Sequence, residues 1–306
     1  PARRYRCGGG ADPLADSTRG LVMLRAAMPG DEPAIEAFLA RHAETSMFLR
    51  GNLADHGLSG GDDPRATSYW LHEQAGQIAA VFGISKAGFA MGQAPGAGPE
   101  LWREFRQMLT CRKLAGLTGE AAQIDTARQG LGLETAEFTQ DEAEPLYRLS
   151  LEDLIIPDTP GHLRAPGEAD RALLTKWHAA YVEELRMSTP AQRDAEAAQR
   201  TERSITSGAT RLLVGDNGTP LAMTAFNARL PDMVQIGAVY TPPEQRGLGL
   251  ARRVVAMHLA EARADGVETA ILFASGPAAC RAYEAIGFQL IGSYHLSILE
   301  NPLVLS

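Results

Sequence analysis

The chain has 306 residues, of which 45% are hydrophobic, and its formal net charge is −8. A single hydrophobic core reaches its practical limit near this length, so we expect two lobes of roughly 130 to 150 residues each. Because nucleic-acid binding depends on clustered Lys and Arg, the acidic balance argues against a nucleic-acid partner.

Cysteine usage and hydropathy narrow the class of protein further. Cys7, Cys111 and Cys280 lie far apart, and none belongs to a CxxC pair or to a zinc-ligand spacing. The sequence therefore predicts no disulfide framework and no metal site, which fits a reducing cytoplasm. No run approaches the roughly 20 apolar residues of a membrane span, and no signal-peptide core is present, so no membrane association is expected.

The first half of the chain contains a tail and a predicted lobe. Residues 1–20 are rich in Arg, Gly, Asp and Ser without periodicity, which predicts a loosely ordered tail. We expect an N-terminal lobe at 21–157, with an amphipathic helix near its start. Three strands are predicted at 69–73, 78–85 and 89–93.

Two short segments of the chain resemble each other. Leu-Arg-Ala at 24–26 is followed by Pro-Gly-Asp at 29–31, and Leu-Arg-Ala-Pro-Gly-Glu stands at 163–168. An amphipathic helix is predicted after each segment. Two interpretations of the N-terminal lobe stay open: a second copy of one fold, or an unrelated α/β cap.

Residues 128–133, Arg-Gln-Gly-Leu-Gly-Leu, imitate a phosphate-binding loop. No β-branched strand precedes them, and the segment 134–144 is acidic at its start, which disfavours a bound phosphate. We therefore interpret Gly130 and Gly132 as a helix stop and a turn, which leaves the first lobe without a phosphate site.

The C-terminal lobe is predicted at 161–306, after a Pro- and Gly-rich linker at 157–161. A strand at 163–165 precedes two helices, the second of which opens at Thr189-Pro190 and runs to about Ser207. The first helix has an apolar face formed by Leu174, Trp177, Tyr181 and Leu185.

A strand meander and two more helices complete this lobe. Asp216-Asn217-Gly218 predicts a hairpin between strands at 211–214 and 221–226, with a third strand at 233–240. Helical periodicity follows at 251–262, an apolar strand at 270–273, and a helix from Pro277 that stops at Gly287.

The most informative segment is 239–251, Val-Tyr-Thr-Pro-Pro-Glu-Gln-Arg-Gly-Leu-Gly-Leu-Ala. A strand, a turn, a glycine-rich loop and a helix in this order direct backbone N–H groups at a phosphate. Gly247 and Gly249 can take positive φ, and Arg246 adds positive charge. No Lys-Ser or Lys-Thr follows, which excludes a P-loop, and Arg252 replaces the third glycine of a dinucleotide-binding loop.

The motif that fits is R/Q-x-x-G-x-G/A, at Arg246, Gly249 and Ala251, and through it the chain resembles the GNAT superfamily of acyl-CoA-dependent N-acetyltransferases. The segment 276–288, with Tyr283-x-x-x-Gly287-Phe288, is similar to a second element of that family. Gly276 stands where the family usually has Asn, and Ser275 is the candidate substitute.

The resemblance implies the fold and the co-substrate. The expected fold is α/β (α+β), a mixed and mostly antiparallel sheet flanked by helices, with the N-terminal lobe as a degenerate GNAT repeat or a cap. It also implies that the loop holds the pyrophosphate of acetyl-CoA. The predicted contacts with this co-substrate are Ala238, Val239, Tyr240, Gln245, Arg246, Gly247, Leu248, Gly249, Leu250, Ala251, Ser275 and Tyr283.

Attack of an amine on a thioester needs a polarised carbonyl and an acid for the leaving thiolate. Gly237, inside an apolar strand, suggests either a bulge with unpaired N–H groups for the carbonyl or close packing against a helix. The resemblance implies that Tyr283 is the acid near the CoA sulfur, whereas its helical face alone would equally suit a core tyrosine.

The general base is harder to identify from the sequence. Some GNAT enzymes have a Glu on the central strand, where this chain has Gln235. Glu183 and Glu184 lie at the end of a helix where the family places the acceptor wall, so they are the candidates for relaying the proton of an ammonium. The alternative is a solvated helix face.

These observations predict a cytoplasmic N-acetyltransferase that moves acetyl from acetyl-CoA to a primary amine of a small molecule within a ternary complex. Three alternatives stay open: a non-catalytic acyl-CoA sensor or interaction protein, transfer to a protein amine, and a larger acyl donor. A monomer and a homodimer are both compatible with the sequence.

Overall fold

A computed structural model describes residues 24–58 and 60–305 of the chain. The tail predicted at 1–20 lies outside the described residues. Within the described ranges no helix is long and apolar enough to cross a membrane.

The N-terminal half contains six strands and four helices among the described residues. In chain order they are β1 Leu24–Ala26, α1 Glu32–Ala40, α2 Met47–His56, β2 Thr67–Gln74, β3 Gln77–Ser85, β4 Phe89–Gln93, α3 Pro99–Met108, β5 Lys113–Glu120, α4 Ala121–Leu131 and β6 Phe138–Ser150.

The C-terminal half has the same sequence of elements. They are β7 His162–Arg164, α5 Arg171–Glu184, α6 Arg193–Thr206, β8 Thr210–Val214, β9 Pro220–Arg229, β10 Met233–Tyr240, α7 Leu250–Ala264, β11 Thr269–Phe273, α8 Pro277–Glu284 and β12 Gln289–Val304.

Both halves therefore follow the order β-α-α-β-β-β-α-β-α-β, which confirms the interpretation as a repeat over the unrelated cap. The likeness extends to side chains. Arg25 of β1 forms a two-pronged ion pair with Asp31, at 2.6 and 3.0 Å, and Arg164 of β7 forms one with Asp170, at 2.7 Å for both bonds. Each pair ties the first strand of its half to the turn before the first helix.

All twelve strands form one sheet in the order β1-β2-β3-β4-β5-β12-β6-β11-β10-β9-β8-β7. The pairs β4–β5 and β10–β11 are parallel, and every other neighbouring pair in this sheet is antiparallel. The two halves exchange their last strands: β12 pairs with β5 of the N-terminal half, and β6 pairs with β11 of the C-terminal half. The expected mixed, mostly antiparallel sheet is present, and the exchange makes it continuous.

The halves also share a packed interface on one face of the sheet. Met47 of α2 packs with Leu146, Met233 and Tyr294, so side chains from both halves form one cluster. Arg50, only 4% exposed, pairs with Glu36 at 2.7 Å and reaches Asp232 of the other half at 3.1 Å. Buried charge is stabilised only when it is paired, so this bridge fixes α2 against the C-terminal half.

Two expectations from the sequence need correction. Helix α6 begins at Arg193, because Thr189 and Pro190 form a separate turn in which the N–H of Gln192 donates to the carbonyl of Thr189. Gly130 lies inside α4 and is needed for packing, because a Cβ there would stand 2.2 Å from the Trp102 Cβ. Gly132, with φ +70°, ends the helix as expected.

Candidate active site

A cleft of about 470 Å³ opens in the C-terminal half where the parallel pairing of β10 and β11 stops. The last paired residues are Ile236 and Leu272, and the cleft lies beyond them. Its walls come from α5, the end of β10, the loop before α7, and α8. It is bounded by Tyr181, Glu184, Leu185, Val239, Tyr240, Thr241, Gln245, Arg246, Gly247, Gly249, Leu250, Ala251, Arg252, Ser275, Ala278, Ala279, Arg281, Ala282 and Tyr283.

The loop between β10 and α7 presents backbone donors to this cleft. Gly247 has φ +80°, and nothing lies within 4 Å of the place where its Cβ would stand. Gly249 is the N-cap of the 15-residue helix α7 in the left-handed conformation, with φ +77°. The first N–H groups of α7 have no intrahelical acceptor, and the positive end of its dipole points the same way. The loop is thus suited to a phosphate group.

Arg246 is held in place by its neighbours. Its Nη2 is 2.8 Å from both carboxylate oxygens of Glu184, and its Nε donates to the carbonyl of Thr241 at 2.9 Å. The positive charge of Arg246 is therefore shared with a carboxylate at the cleft. The same ion pair places Glu184, one of the two predicted base candidates, at the loop end of the cleft.

Arg252 and Arg281 add positive charge that is not paired with another described residue. Arg252 lies in the first turn of α7 and Arg281 on α8, and both are exposed where they line the cleft. Sequence reasoning used Arg252 only to exclude a dinucleotide-binding loop and did not single out Arg281. The signal for Arg252 was its position in the first turn after a glycine-capped helix start.

We expect Arg252→Ala and Arg281→Ala each to weaken acetyl-CoA binding by about tenfold at low salt, since an exposed charge interaction with phosphate contributes on the order of 1 kcal/mol. Calorimetric titration at two salt concentrations measures the effect, which should shrink at high salt. Arg103→Ala is the matched control, because Arg103 is an exposed helical arginine of the N-terminal half. Equal affinities for all these proteins would contradict a phosphate role.

The bulge, one of the two interpretations of Gly237, is present. The register between β10 and β9 shifts between Gly237 and Tyr240, and Ala238 has φ +48°. The bulge takes Ala238 and Val239 out of regular pairing with β9, and a backbone hydrogen bond of Ala238 acts on the Tyr181 hydroxyl at the cleft. A Cβ on Gly237 would lie 2.1 Å from the Asn227 amide nitrogen, so glycine is required there for packing as well.

Two tyrosines meet at the inner end of the cleft. Tyr283 of α8 is buried, packs edge-on against Phe288 and lines the cleft, and its hydroxyl makes no hydrogen bond with a described residue. Burial raises the pKa of Tyr283, and the nearby Tyr181 and Glu144 act in the same direction. Burial also raises the pKa of Tyr181. Both phenols are therefore protonated at neutral pH.

The other predicted residues occupy varied places. Val239, Tyr240, Gln245, Leu250, Ala251 and Ser275 line the cleft, whereas Leu248 points to solvent with 61% of its surface exposed, and Ala238 lies at the bulge. Glu183 is exposed outside the cleft and pairs with Arg193 at 3.3 Å. Gln235 is fully buried, and neither amide atom has a hydrogen-bond partner among the described residues.

A carboxylate from the other half approaches the cleft, and sequence reasoning missed it. Glu144 lies on β6, and its charge acts on both Tyr181 and Tyr283. No local pattern around residue 144 indicates this position. Only the exchange of β6 into the C-terminal half brings Glu144 there.

The N-terminal half carries different side chains at the positions that correspond to the cleft. Arg128-x-x-x-Gly132-Leu133 aligns with Tyr283-x-x-x-Gly287-Phe288, so an arginine stands at the position of the tyrosine. Arg128 forms an ion pair with Asp141 and lies over the Phe138 ring at 4.9 Å. In addition, Gln123 Oε1 accepts the N–H of Ala94 after β4, at 2.9 Å.

The chain thus has two lobes of one fold, and the second carries a glycine-capped helix start at an open cleft. The acetyltransferase (GNAT) family matches residues 174–288. No curated protein sequence matches the chain. Residues 174–288 are a GNAT acetyltransferase domain, within a chain whose two halves share the GNAT fold.

Solved structures support this fold along most of the chain. A Drosophila protein of 13% identity superposes with a TM-score of 0.61, over 91% of this chain and 99% of its own. A GCN5-related N-acetyltransferase from Sphaerobacter thermophilus has 17% identity, coverage of 90% and 94%, and a TM-score of 0.57. A tandem GNAT protein from the clavulanic acid biosynthesis pathway has 15% identity, coverage of 90% and 97%, and a TM-score of 0.54.

Proposed function

We propose that the protein transfers the acetyl group of acetyl-CoA to a primary amine of a small molecule, within a ternary complex at the C-terminal cleft. One observation carries the proposal: the glycine-capped N-terminus of α7 and the Tyr283 hydroxyl face the same cleft. The α7 N-terminus suits the pyrophosphate of acetyl-CoA, and the Tyr283 hydroxyl is an acid for the thiolate at the other end of the same molecule.

The proposed binding geometry assigns each end of acetyl-CoA to a group of residues. The pyrophosphate lies against the N–H groups of residues 247–251, with Arg252 and Arg281 beside it. The thioester reaches between the ends of β10 and β11. There the N–H groups of Ala238 and Val239 polarise its carbonyl, because the bulge leaves them outside the regular ladder.

The reaction follows from these positions. The neutral amine nitrogen attacks the thioester carbon, a C–N bond forms, and the C–S bond breaks with its electron pair on sulfur. The starting ammonium loses two protons in total. Tyr283 donates a proton to sulfur and regains one from the nitrogen, while the other proton must pass to a base at the acceptor side. The raised pKa of Tyr283 keeps the phenol protonated until the thiolate forms.

The first test is a calorimetric titration with acetyl-CoA, for which we expect one site per chain. In the N-terminal half, Glu100 stands in the first turn of α3 and bonds its own backbone, so this helix start already carries a negative charge. Two sites per chain would contradict the assignment to the C-terminal half alone. No binding at millimolar ligand would overturn the proposed function.

The second test supplies acceptors. Acetyl-CoA is offered with 2-phenylethylamine, putrescine or glycine, and with a peptide that has a free N-terminus and a lysine, while the release of CoA thiol is followed. We expect turnover with at least one small amine. Turnover with the peptide alone would favour a protein acceptor, and binding without any transfer would favour an acyl-CoA sensor.

A further inference from the structure

We propose that Glu144, supplied by the N-terminal half, accepts the proton that the acceptor amine loses in the C-terminal cleft. This inference deepens the proposed acetyl transfer and rests on it. It assigns a base that neither the central strand nor the predicted pair Glu183 and Glu184 provides.

The strand register places Glu144 level with the cleft. Phe273 of β11 pairs with Leu146 of β6, and the N–H of Ala274 donates to the carbonyl of Pro145 at 3.0 Å. The regular pairing ends at Leu146 and Phe273, and continuing its register sets Glu144 level with Ser275, which lines the cleft. Glu144 is therefore at the point where β11 ends and the cleft opens.

The alternation of side chains along β6 decides which way Glu144 points. Successive side chains of a strand point to opposite faces, so Glu144 shares the face of Leu146 rather than that of Pro145. On this face it lies opposite Tyr294 of β12, and Tyr294 stacks on Phe273 with 4.4 Å between the ring centroids. Helix α5, which carries Tyr181, packs on the same face of the sheet through Trp177 and Tyr240.

The electrostatic contacts of Glu144 agree with this position. Its negative charge raises the pKa of Tyr181 on α5 and of Tyr283 on α8. Glu144 does not itself line the cleft, so a proton from an amine there reaches it past Ser275. Glu183, in contrast, is exposed outside the cleft, and Glu184 is bound to Arg246.

Glu144 is also unusual in having no partner. It is half-buried, yet it makes no hydrogen bond and no ion pair with a described residue. An unpaired carboxylate in such a place lowers the stability of a fold. Side chains that break a packing rule without local compensation are concentrated at functional sites. A cationic acceptor would supply the missing partner.

The groups that face Glu144 set its pH behaviour. Burial raises the pKa of its carboxyl, and the negative charge of Glu142 on the same strand raises it further. Tyr294 lies opposite it on β12, and its charge acts on Tyr181 of α5 and Tyr283 of α8; all three phenols stay neutral because burial raises their pKa. Since the base must be ionised, kcat/KM should rise with pH through the pKa of Glu144.

The test compares Glu144→Gln with the unaltered protein, using acetyl-CoA and 2-phenylethylamine, or whichever small amine of the panel turns over fastest. We expect kcat/KM to fall about 100-fold, in the range typical of lost general base catalysis, with the acid limb of the pH profile removed. Acetyl-CoA affinity should stay the same, because Glu144 does not line the phosphate end. The melting temperature should be unchanged or higher, since an unpaired half-buried charge is removed.

Glu142→Gln is the matched control on the same strand. It removes an equal charge from an exposed side chain, so the plateau rate should stay the same. Because the charge of Glu142 raises the pKa of Glu144, the acid limb should move to lower pH. If residue 144 has a purely structural role, Glu144→Gln should lower the melting temperature and leave the acid limb of the pH profile in place.

The outcomes separate this assignment from the function on which it rests. Unchanged kcat/KM and an unchanged acid limb in Glu144→Gln would overturn the role of Glu144 and leave acetyl transfer intact. If the unaltered protein binds acetyl-CoA and acetylates no amine of the panel, the proposed function fails and the role of Glu144 fails with it.

Discussion

Replacing Gly249 by valine is expected to weaken acetyl-CoA binding at least 100-fold, a loss of about 3 kcal/mol. Gly249 has φ +77°, a conformation in which a β-branched residue is strained. A Cβ at this position would lie 3.0 Å from Nε of Arg252, so the arginine beside the loop would also have to move. The substitution changes both the cap that aims the N–H groups of α7 and a cation beside them.

Calorimetric titration of Gly249→Val measures this loss, and Gly218→Val is the matched control. Gly218 has φ +82° and nothing within 4 Å of its Cβ position, but it lies in the hairpin turn between β8 and β9. Both variants carry a backbone strain of roughly 1–2 kcal/mol, which circular dichroism melting can compare. Only Gly249→Val should lose affinity for acetyl-CoA. An unchanged dissociation constant for Gly249→Val would remove the loop from the binding site.

Tyr283→Phe is expected to lower turnover about 100- to 1000-fold, within the range of general acid catalysis, and to leave acetyl-CoA affinity unchanged. The ring that packs against Phe288 is retained, so the core around α8 is preserved. Only the hydroxyl is lost, and it makes no hydrogen bond with a described residue that its removal would break. Because burial raises the pKa of this phenol, the unaltered protein should keep its acid across the neutral range.

Steady-state kinetics and calorimetry together test this expectation, with Tyr69→Phe as the control. The Tyr69 hydroxyl donates to the carbonyl of Leu49 at 2.8 Å inside the N-terminal half. Its loss should cost about 1 kcal/mol of stability without an effect on turnover. An unaltered rate in Tyr283→Phe would show that Tyr283 serves only the hydrophobic core.

Elements with a strong local signal were predicted closely from the sequence. The bounds of β4 and β10 coincide with the predicted 89–93 and 233–240. Apolar residues and nearby turn formers act over a few residues, so the pattern and the structure agree. The start of α6 was missed by a few residues, because Thr-Pro is equally suited to a turn.

Strand β6 had no comparable signal. Its first residues, Phe-Thr-Gln-Asp-Glu-Ala-Glu at 138–144, are largely polar and acidic, which does not predict a central strand. They form one because β12 pairs along their whole length and β11 pairs with the end of the strand. Pairing with two distant segments outweighed local preference.

The sequence alone determined the parts of the candidate site that lie within one continuous segment. Gly247, Gly249 and Arg246 are neighbours along the chain, and a glycine-capped helix start is a local structure that needs no distant partner. The same holds for Tyr283, because its spacing to Gly287 and Phe288 is typical of the last turn of a helix and the glycine that ends it.

The tertiary structure decided the parts of the site that join segments far apart in the chain. The exchange of β6 and β12 places Glu144 beside the cleft of the other half, and the approach of α5 to the loop pairs Glu184 with Arg246. The first depends on which strands are free to pair when the halves come together, and the second on how α5 packs against the loop within the C-terminal half. Such choices arise from contacts between residues far apart in the chain, so no window of sequence contains them.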